Sequence, residues 1–178
     1  DGGWSWWGTA NIEDQKSSPF ITAYVLLGLE MANQAGIEIN ESSMTRARDY
    51  LVFELRQPDD ADTAWMLDEQ TFLVYALRNH NLNLTPTIDS LYARRTELSS
   101  WALGLLALTI REQGGMVTRS NTLIADIESR AIRSATGVHW ESERAYWMLP
   151  GTPVFNTAAV IYTLAQLDPA STSLSPGL

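Results

Sequence analysis

No cysteine occurs anywhere in the sequence, which excludes a disulfide, a thiolate-bound metal and a nucleophilic thiol within this segment. Compartment is left open by that absence, because a periplasmic or surface protein can also lack disulfides. Histidine is scarce too. His80 and His139 stand far apart and neither belongs to an H-E-x-x-H pattern, so no zinc site is expected. A G-x-S-x-G elbow is missing, which removes support for a serine hydrolase of that kind. Basic residues number 12 against 21 acidic, a net charge of −9, and no run of Lys or Arg stands out. Such a chain repels a phosphate backbone, so nucleic acid is not expected as a partner. The apolar runs fall far short of the ~20 residues that cross a bilayer, so no transmembrane segment is expected.

What remains is the composition of a globular domain. Hydrophobic residues make up 45% and charged residues 19% of 178, enough length to bury a sizeable core. The chain opens on Asp1-Gly2-Gly3-Trp4 and stops at Ser175-Pro176-Gly177-Leu178, which reads as a loop entering another element. Truncation at both ends is the expectation.

Helix signals recur throughout. Ser18-Pro19 is an N-cap followed by Pro at the first helical position, and Gly36 closes that helix. Asn40 caps a second helix through about Leu55. A third runs from near Asp62 to Arg78, and Thr85-Pro86 opens a short fourth to about Arg94. The fifth spans roughly Glu97 to Gln113, and the sixth follows Ser120 and fades near Ala135. A loop from Thr136 to Gly151 precedes the seventh, between Thr152-Pro153 and Asp168-Pro169.

Periodicity separates these helices into two kinds. Met44, Ala47, Leu51 and Leu55 make one stripe on the second, and Leu123, Ile127 and Ala131 align beside Ile124 and Ile132 on the sixth. The odd-numbered helices are apolar almost all round: Phe20 to Leu29, Thr71 to Leu77, Trp101 to Ile110 and Val154 to Leu164. A helix apolar on every side must be covered on every side. Alternation of wrapped and one-sided helices predicts an all-α fold, an α/α toroid forming a partial ring of inner and outer helices, about seven in number.

Few residues point to chemistry. Asp1-Gly2-Gly3-Trp4-Ser5-Trp6-Trp7 could stack a ligand, but paired glycines and large apolar rings suit a clamp on neighbouring helix ends better. Asp59-Asp60-Ala61-Asp62 could hold a hard cation, yet its place before a helix favours capping of free amides. Asp68 and Glu69 interrupt a wrapped helix. With Glu30 or Glu112 they are candidates for acid–base work in a central funnel, against the plainer reading of solvated lining or salt bridges. No motif calls for a cofactor.

The run Asp1-Gly2-Gly3-Trp4 followed by Ser18-Pro-Phe-Ile-Thr-Ala-Tyr-Val-Leu26 resembles the thioester domain of bacterial α2-macroglobulins, kin of complement C3. The likeness continues through Ala47-Arg-Asp-Tyr-Leu51, the Ser99 to Leu108 helix, His139-Trp140-Glu141, and the Asn156 to Pro169 helix. It spans essentially the whole chain, residues 1–178, as one partial toroid domain. The resemblance implies a scaffold segment of a protease-trapping protein, an endopeptidase inhibitor and no enzyme, secreted or periplasmic. Its partners would be the other domains of the parent macroglobulin and target proteases. Neither the Cys nor the Gln of the family's thioester motif is present, and Gln57 to Leu77 contains no His. A toroidal enzyme of terpene-cyclase or glycosidase kind, using funnel carboxylates, is the alternative. An opened ring would also expose apolar inner-helix surface, from which self-association follows as an expectation.

Overall fold

Local capping chemistry starts most of the helices where the sequence places them. In a computed structural model, described here for residues 1–6, 16–135, 137–142 and 151–174, seven α-helices follow one another along the chain. They are α1 (Pro19–Gln34), α2 (Glu41–Glu54), α3 (Ala64–Leu77), α4 (Thr85–Ala93), α5 (Ser100–Glu112), α6 (Val117–Ser129) and α7 (Pro153–Leu167). The side chains of Ser18, Asn40, Ser99 and Thr152 each accept a backbone N–H of the first turn they precede. Gly36 and Gly114 end α1 and α5 at φ of +84° and +68°, a backbone conformation glycine adopts without strain.

The layering follows from which helix packs on which. α1, α3, α5 and α7 stand in a row, each against the next. α2 covers α1 and α3, α4 covers α3 and α5, and α6 lies along α5. This is the alternation that periodicity predicts. α3 and α5 are enclosed on every side: Thr71 to Leu77 and Ser100 to Ile110 are buried without a break. α1 and α7 are buried only on the side that faces the row, because each ends it. An aromatic ladder ties the four inner helices together. Phe20 lies 4.7 Å from Phe72, Phe72 lies 6.2 Å from Trp101, and Trp101 lies 5.8 Å from Phe155, centroid to centroid.

Two stretches differ from the sequence reading. α6 begins at Val117, not after Ser120, whose buried hydroxyl donates to the Ala107 carbonyl at 3.3 Å and so serves the α5–α6 contact. It also stops at Ser129. The apolar residues read as its last turn pass into a two-stranded antiparallel hairpin, β1 (Ile132–Ser134) and β2 (Gly137–His139). Of the proposed Trp-rich clamp, Trp7 lies outside the described residues, as do most of the 136–151 loop and Ser175 to Leu178.

Candidate functional site

The two distinctive motifs both sit at the N-terminal ends of inner helices. Trp4 is fastened to the start of α1: its carbonyl accepts the Ser18 N–H at 2.8 Å, and its own N–H donates to Thr22 Oγ1 at 2.9 Å. The Asp1 carboxylate accepts the Ser17 hydroxyl at 2.5 Å and the Ser17 N–H at 3.1 Å. Both glycines are required by space. A Cβ on Gly3 would fall 2.6 Å from Ser17 Cβ and 2.9 Å from the Tyr50 ring, and one on Gly2 would fall 2.8 Å from the Arg46 carbonyl oxygen. Tyr50 seals this corner by donating to the Ser17 carbonyl at 2.7 Å. Burial, with Glu54 and Glu69 nearby, pushes its phenol up to about 12.

His139, Trp140 and Glu141 form the second motif. Trp140 is wholly buried, with Nε1 donating to the Ile127 carbonyl of α6 at 2.8 Å and the backbone N–H donating to Thr157 Oγ1 of α7 at 3.0 Å. The Glu141 carbonyl accepts Asn156 Nδ2 at 2.5 Å, while Asn156 Oδ1 accepts the Trp101 N–H at 2.8 Å. One amide thus links the segment after β2 to α7 and takes a free N–H in the first turn of α5. His139 and Glu141 pair at 3.2 Å with both side chains well exposed.

The candidate funnel carboxylates turn to three different partners. Asp68 is 2% exposed and accepts the Ser99 N–H at 2.9 Å, so it holds the start of α5 and does not line open space. Glu30 meets His80 at 2.6 Å, joining α1 to the end of α3, although that nitrogen makes no well-aligned hydrogen bond. Glu112 pairs with Arg78, bridging α5 to α3. Glu69 is partly buried beside Glu54 and Arg56, and burial, reinforced by the Glu54 charge, raises its carboxyl above the usual range.

The acidic run before α3 behaves otherwise than capping predicts. Asp62 does not cap: Thr63 holds the N-cap position and its side chain makes no cap bond. The Asp62 carboxylate is buried and takes the Arg56 guanidinium, 2.6 Å at Nη1, and the Asp59 N–H at 2.8 Å. Arg94 reaches the Asp62 carbonyl at 2.8 Å, so the turn is pinned by residues just beyond the ends of α2 and α4. The Arg56 hydrogen bond holds the Asp62 carboxyl below the usual range against the opposing effect of burial. Local spacing gave no sign of these partners. Among the described residues, no group of three or more His, Cys, Asp or Glu is placed to hold a metal ion.

Glu69 and Asp62 shift in opposite senses, and stability follows each. Glu69, raised in the folded state, costs stability as pH climbs from its unfolded value to its folded one, and the loss persists at neutral pH. Asp62, lowered in the folded state, contributes stability above its unfolded value that is lost as pH falls through its folded one. Glu69→Gln is therefore expected to be more stable than the parent at pH 7 and to lose that advantage in acid. Urea unfolding at several pH values reads this, and an unchanged difference across pH would refute it.

No family model and no curated protein sequence matches the chain. Solved structures do. The native conformation of Escherichia coli alpha-2-macroglobulin superposes with a TM-score of 0.72 over 93% of this chain, at 18% identity. The fold is that of a bacterial alpha-2-macroglobulin segment. A Salmonella alpha-2-macroglobulin reacted with methylamine gives 0.70 over 93% of the chain at 18% identity. The E. coli alpha-2-macroglobulin piece from domain MG7 to the C-terminus gives 0.71 over 93% at 16%. This chain spans 10% of the first two of those macroglobulin chains and 25% of the third. Among its described residues no helix is long and apolar enough to cross a membrane.

Proposed function

We propose that residues 1–178 are part of the thioester-domain toroid of a bacterial macroglobulin-like protease trap, acting as scaffold. The observation that carries this reading is the superposition on macroglobulin structures over 93% of the chain. The motifs of the resemblance support it as well: Gly-Gly-Trp holds the start of α1, Ser18 caps that helix, and His-Trp-Glu ties the end of α6 to α7. A chain of this kind works by contact and shape change. Its partners are the other domains of the parent and the captured protease, and its location is extracellular or periplasmic. Asp68, the most suspect acid, is spent on the α5 N-terminus, which weighs against turnover by that residue.

The test uses the longer protein that carries this segment. Mixed with trypsin, it is expected to change mobility on a native gel and to hold the protease so that a small ester is still cleaved while casein is spared. Trypsin that keeps full activity on casein, with no mobility change, would overturn the proposal.

A further inference from the structure

The sequence holds two copies of the acceptor pattern for N-linked glycosylation, Asn-x-Ser/Thr: Asn40-Glu41-Ser42 at the start of α2 and Asn83-Leu84-Thr85 at the start of α4. The fold treats them differently. Asn40, Glu41 and Ser42 are all exposed, and so is Glu38 two residues upstream. Asn83 and Thr85 are exposed as well, but Leu84 between them is 2% accessible and belongs to the core. A transferase draws its acceptor out as an extended peptide. At Asn40 only the first turn of α2 has to fray, and none of the three acceptor residues leaves the core. At Asn83 the same step pulls Leu84 out of it.

The amide of Asn40 is also turned the right way. Its Oδ1 accepts the N–H groups of Ser42 at 3.0 Å and Ser43 at 3.3 Å, and the Ser42 hydroxyl at 2.8 Å. Three donors on one atom fix it as the oxygen, so Nδ2 is directed away from the helix. Among the described residues Nδ2 has no hydrogen-bond partner. Arg46 Nη1 donates to the Ser42 hydroxyl at 3.4 Å, which leaves the hydroxyl proton for Asn40. A glycan on Nδ2 keeps Oδ1 in place as the cap, so modification and the helix start do not compete.

The openness of this turn does not come from its place at one end of the row. Glu30 with His80 and Glu112 with Arg78 tie the C-terminal ends of α1, α3 and α5 side by side, so the turns that leave them share one face of the layer. Asn79, Asn81 and Asn83 after α3, and Gln113 to Met116 after α5, are exposed too, although both helices have an inner neighbour on either side.

We propose that Asn40 is an N-glycosylation site, the acceptor for an oligosaccharide carried on a polyprenyl pyrophosphate. Nδ2 forms a bond to the anomeric carbon of the first sugar and gives up one proton. The bond from that carbon to the pyrophosphate oxygen breaks, and polyprenyl pyrophosphate leaves with the electron pair. Glu38 supplies a negative charge two residues upstream for a basic groove to hold, whereas Asn81 stands at the matching place before Asn83. Protease trapping plays no part in this reading.

In the test, the folded longer protein that carries this segment is mixed with a purified oligosaccharyltransferase of the bacterial periplasm and its lipid-linked oligosaccharide, and the tryptic peptides are weighed. Peptide 17–46, released after Lys16 and Arg46, is expected to gain the mass of one oligosaccharide, and peptide 79–94, released after Arg78 and Arg94, none. Asn40→Asp keeps a capping oxygen and loses the nitrogen; Ser42→Ala keeps the amide and loses the hydroxyl. Both are expected to abolish the mass gain with the circular dichroism unchanged, and Ser42→Thr is expected to retain it. Peptide 17–46 left unmodified while a control acceptor peptide in the same tube is modified, transfer that survives Ser42→Ala, or equal modification of peptide 79–94 would each overturn the proposal.

Discussion

Trp140→Ala is expected to lower the unfolding free energy by about 3–5 kcal/mol, the cost typical of deleting a buried Trp. The ring is wholly buried, and its indole N–H is spent on the Ile127 carbonyl at 2.8 Å. It stands where β2 leaves the hairpin and meets both α6 and α7, so the cavity opens between elements and not within one. Filling such a space would need α6 and α7 to move together, and α5 lies packed against both. For a chain of this length the loss corresponds to a melting temperature lower by on the order of 10 °C. Trp140→Phe separates the two contributions. It keeps most of the packing and removes the donor, while the Ile127 carbonyl retains the Arg130 N–H at 3.0 Å, so about 1–2 kcal/mol is expected. Trp6, 66% exposed, supplies the contrast: its alanine variant should fall within about 0.5 kcal/mol of the parent. Chemical denaturation followed by far-ultraviolet circular dichroism measures all three. If the Ala variant of Trp140 matched that of Trp6, the clamp would have no energetic standing.

Helix starts were legible because a cap is written within three residues of the bond it makes. Ser18-Pro19, Asn40 and Thr152-Pro153 are such cases, and the structure places their helices within a residue or so of the sequence reading. α6 shows the converse. Its N-cap position is Met116, which offers no side-chain acceptor, so the nearest serine drew the boundary to the wrong place. The hairpin escaped for a related reason. Ile132 continues the apolar spacing of α6, and three-residue strands are too short for a two-residue period to assert itself. Layering was legible at long range because burial on every side must be written as apolar residues on every side, which α3 and α5 satisfy.

The acidic candidates were harder to place, since the partner of a carboxylate is chosen by the fold. Ser99 lies 31 residues from Asp68, and Ser171 and Ser173 lie 43 and 45 residues from Glu128. Burial works against the Glu128 charge, but the two hydroxyls and Arg133 outweigh it and lower that carboxyl below the usual range. That latch fastens the chain end after α7 onto α6, and no local motif announces it. Asn156 did carry a signal. An amide within an apolar helix must find partners for both of its ends, and here they are Glu141 and Trp101.

Gly104 provides the second large expected effect, and its sign runs against helix propensity. Alanine in a helix interior is favoured over glycine by roughly 0.8–1.0 kcal/mol, so an exposed Gly→Ala change would stabilise. Here the new Cβ would meet Thr163 Oγ1 and lie 3.2 Å from Thr163 Cβ across the α5–α7 contact. Thr163 has little room to yield. It is fully buried, β-branched on a helix, and its hydroxyl donates to the Ala159 carbonyl at 3.1 Å. The two helices must separate, and overpacking of this kind costs about 1–3 kcal/mol, which exceeds the propensity gain. Gly104→Ala is therefore expected to destabilise modestly, and Gly104→Leu by about 3 kcal/mol or more, since its branches also need volume that the enclosed α5 cannot supply. Thr163→Ala removes the clashing oxygen. The double variant Gly104→Ala with Thr163→Ala should recover most of the loss, with a coupling of about 1 kcal/mol or more in a double-mutant cycle. Additive effects of the two changes would mean that α5 and α7 are not held apart by this pair, and a stabilised Gly104→Ala would mean that the contact relaxes at no cost.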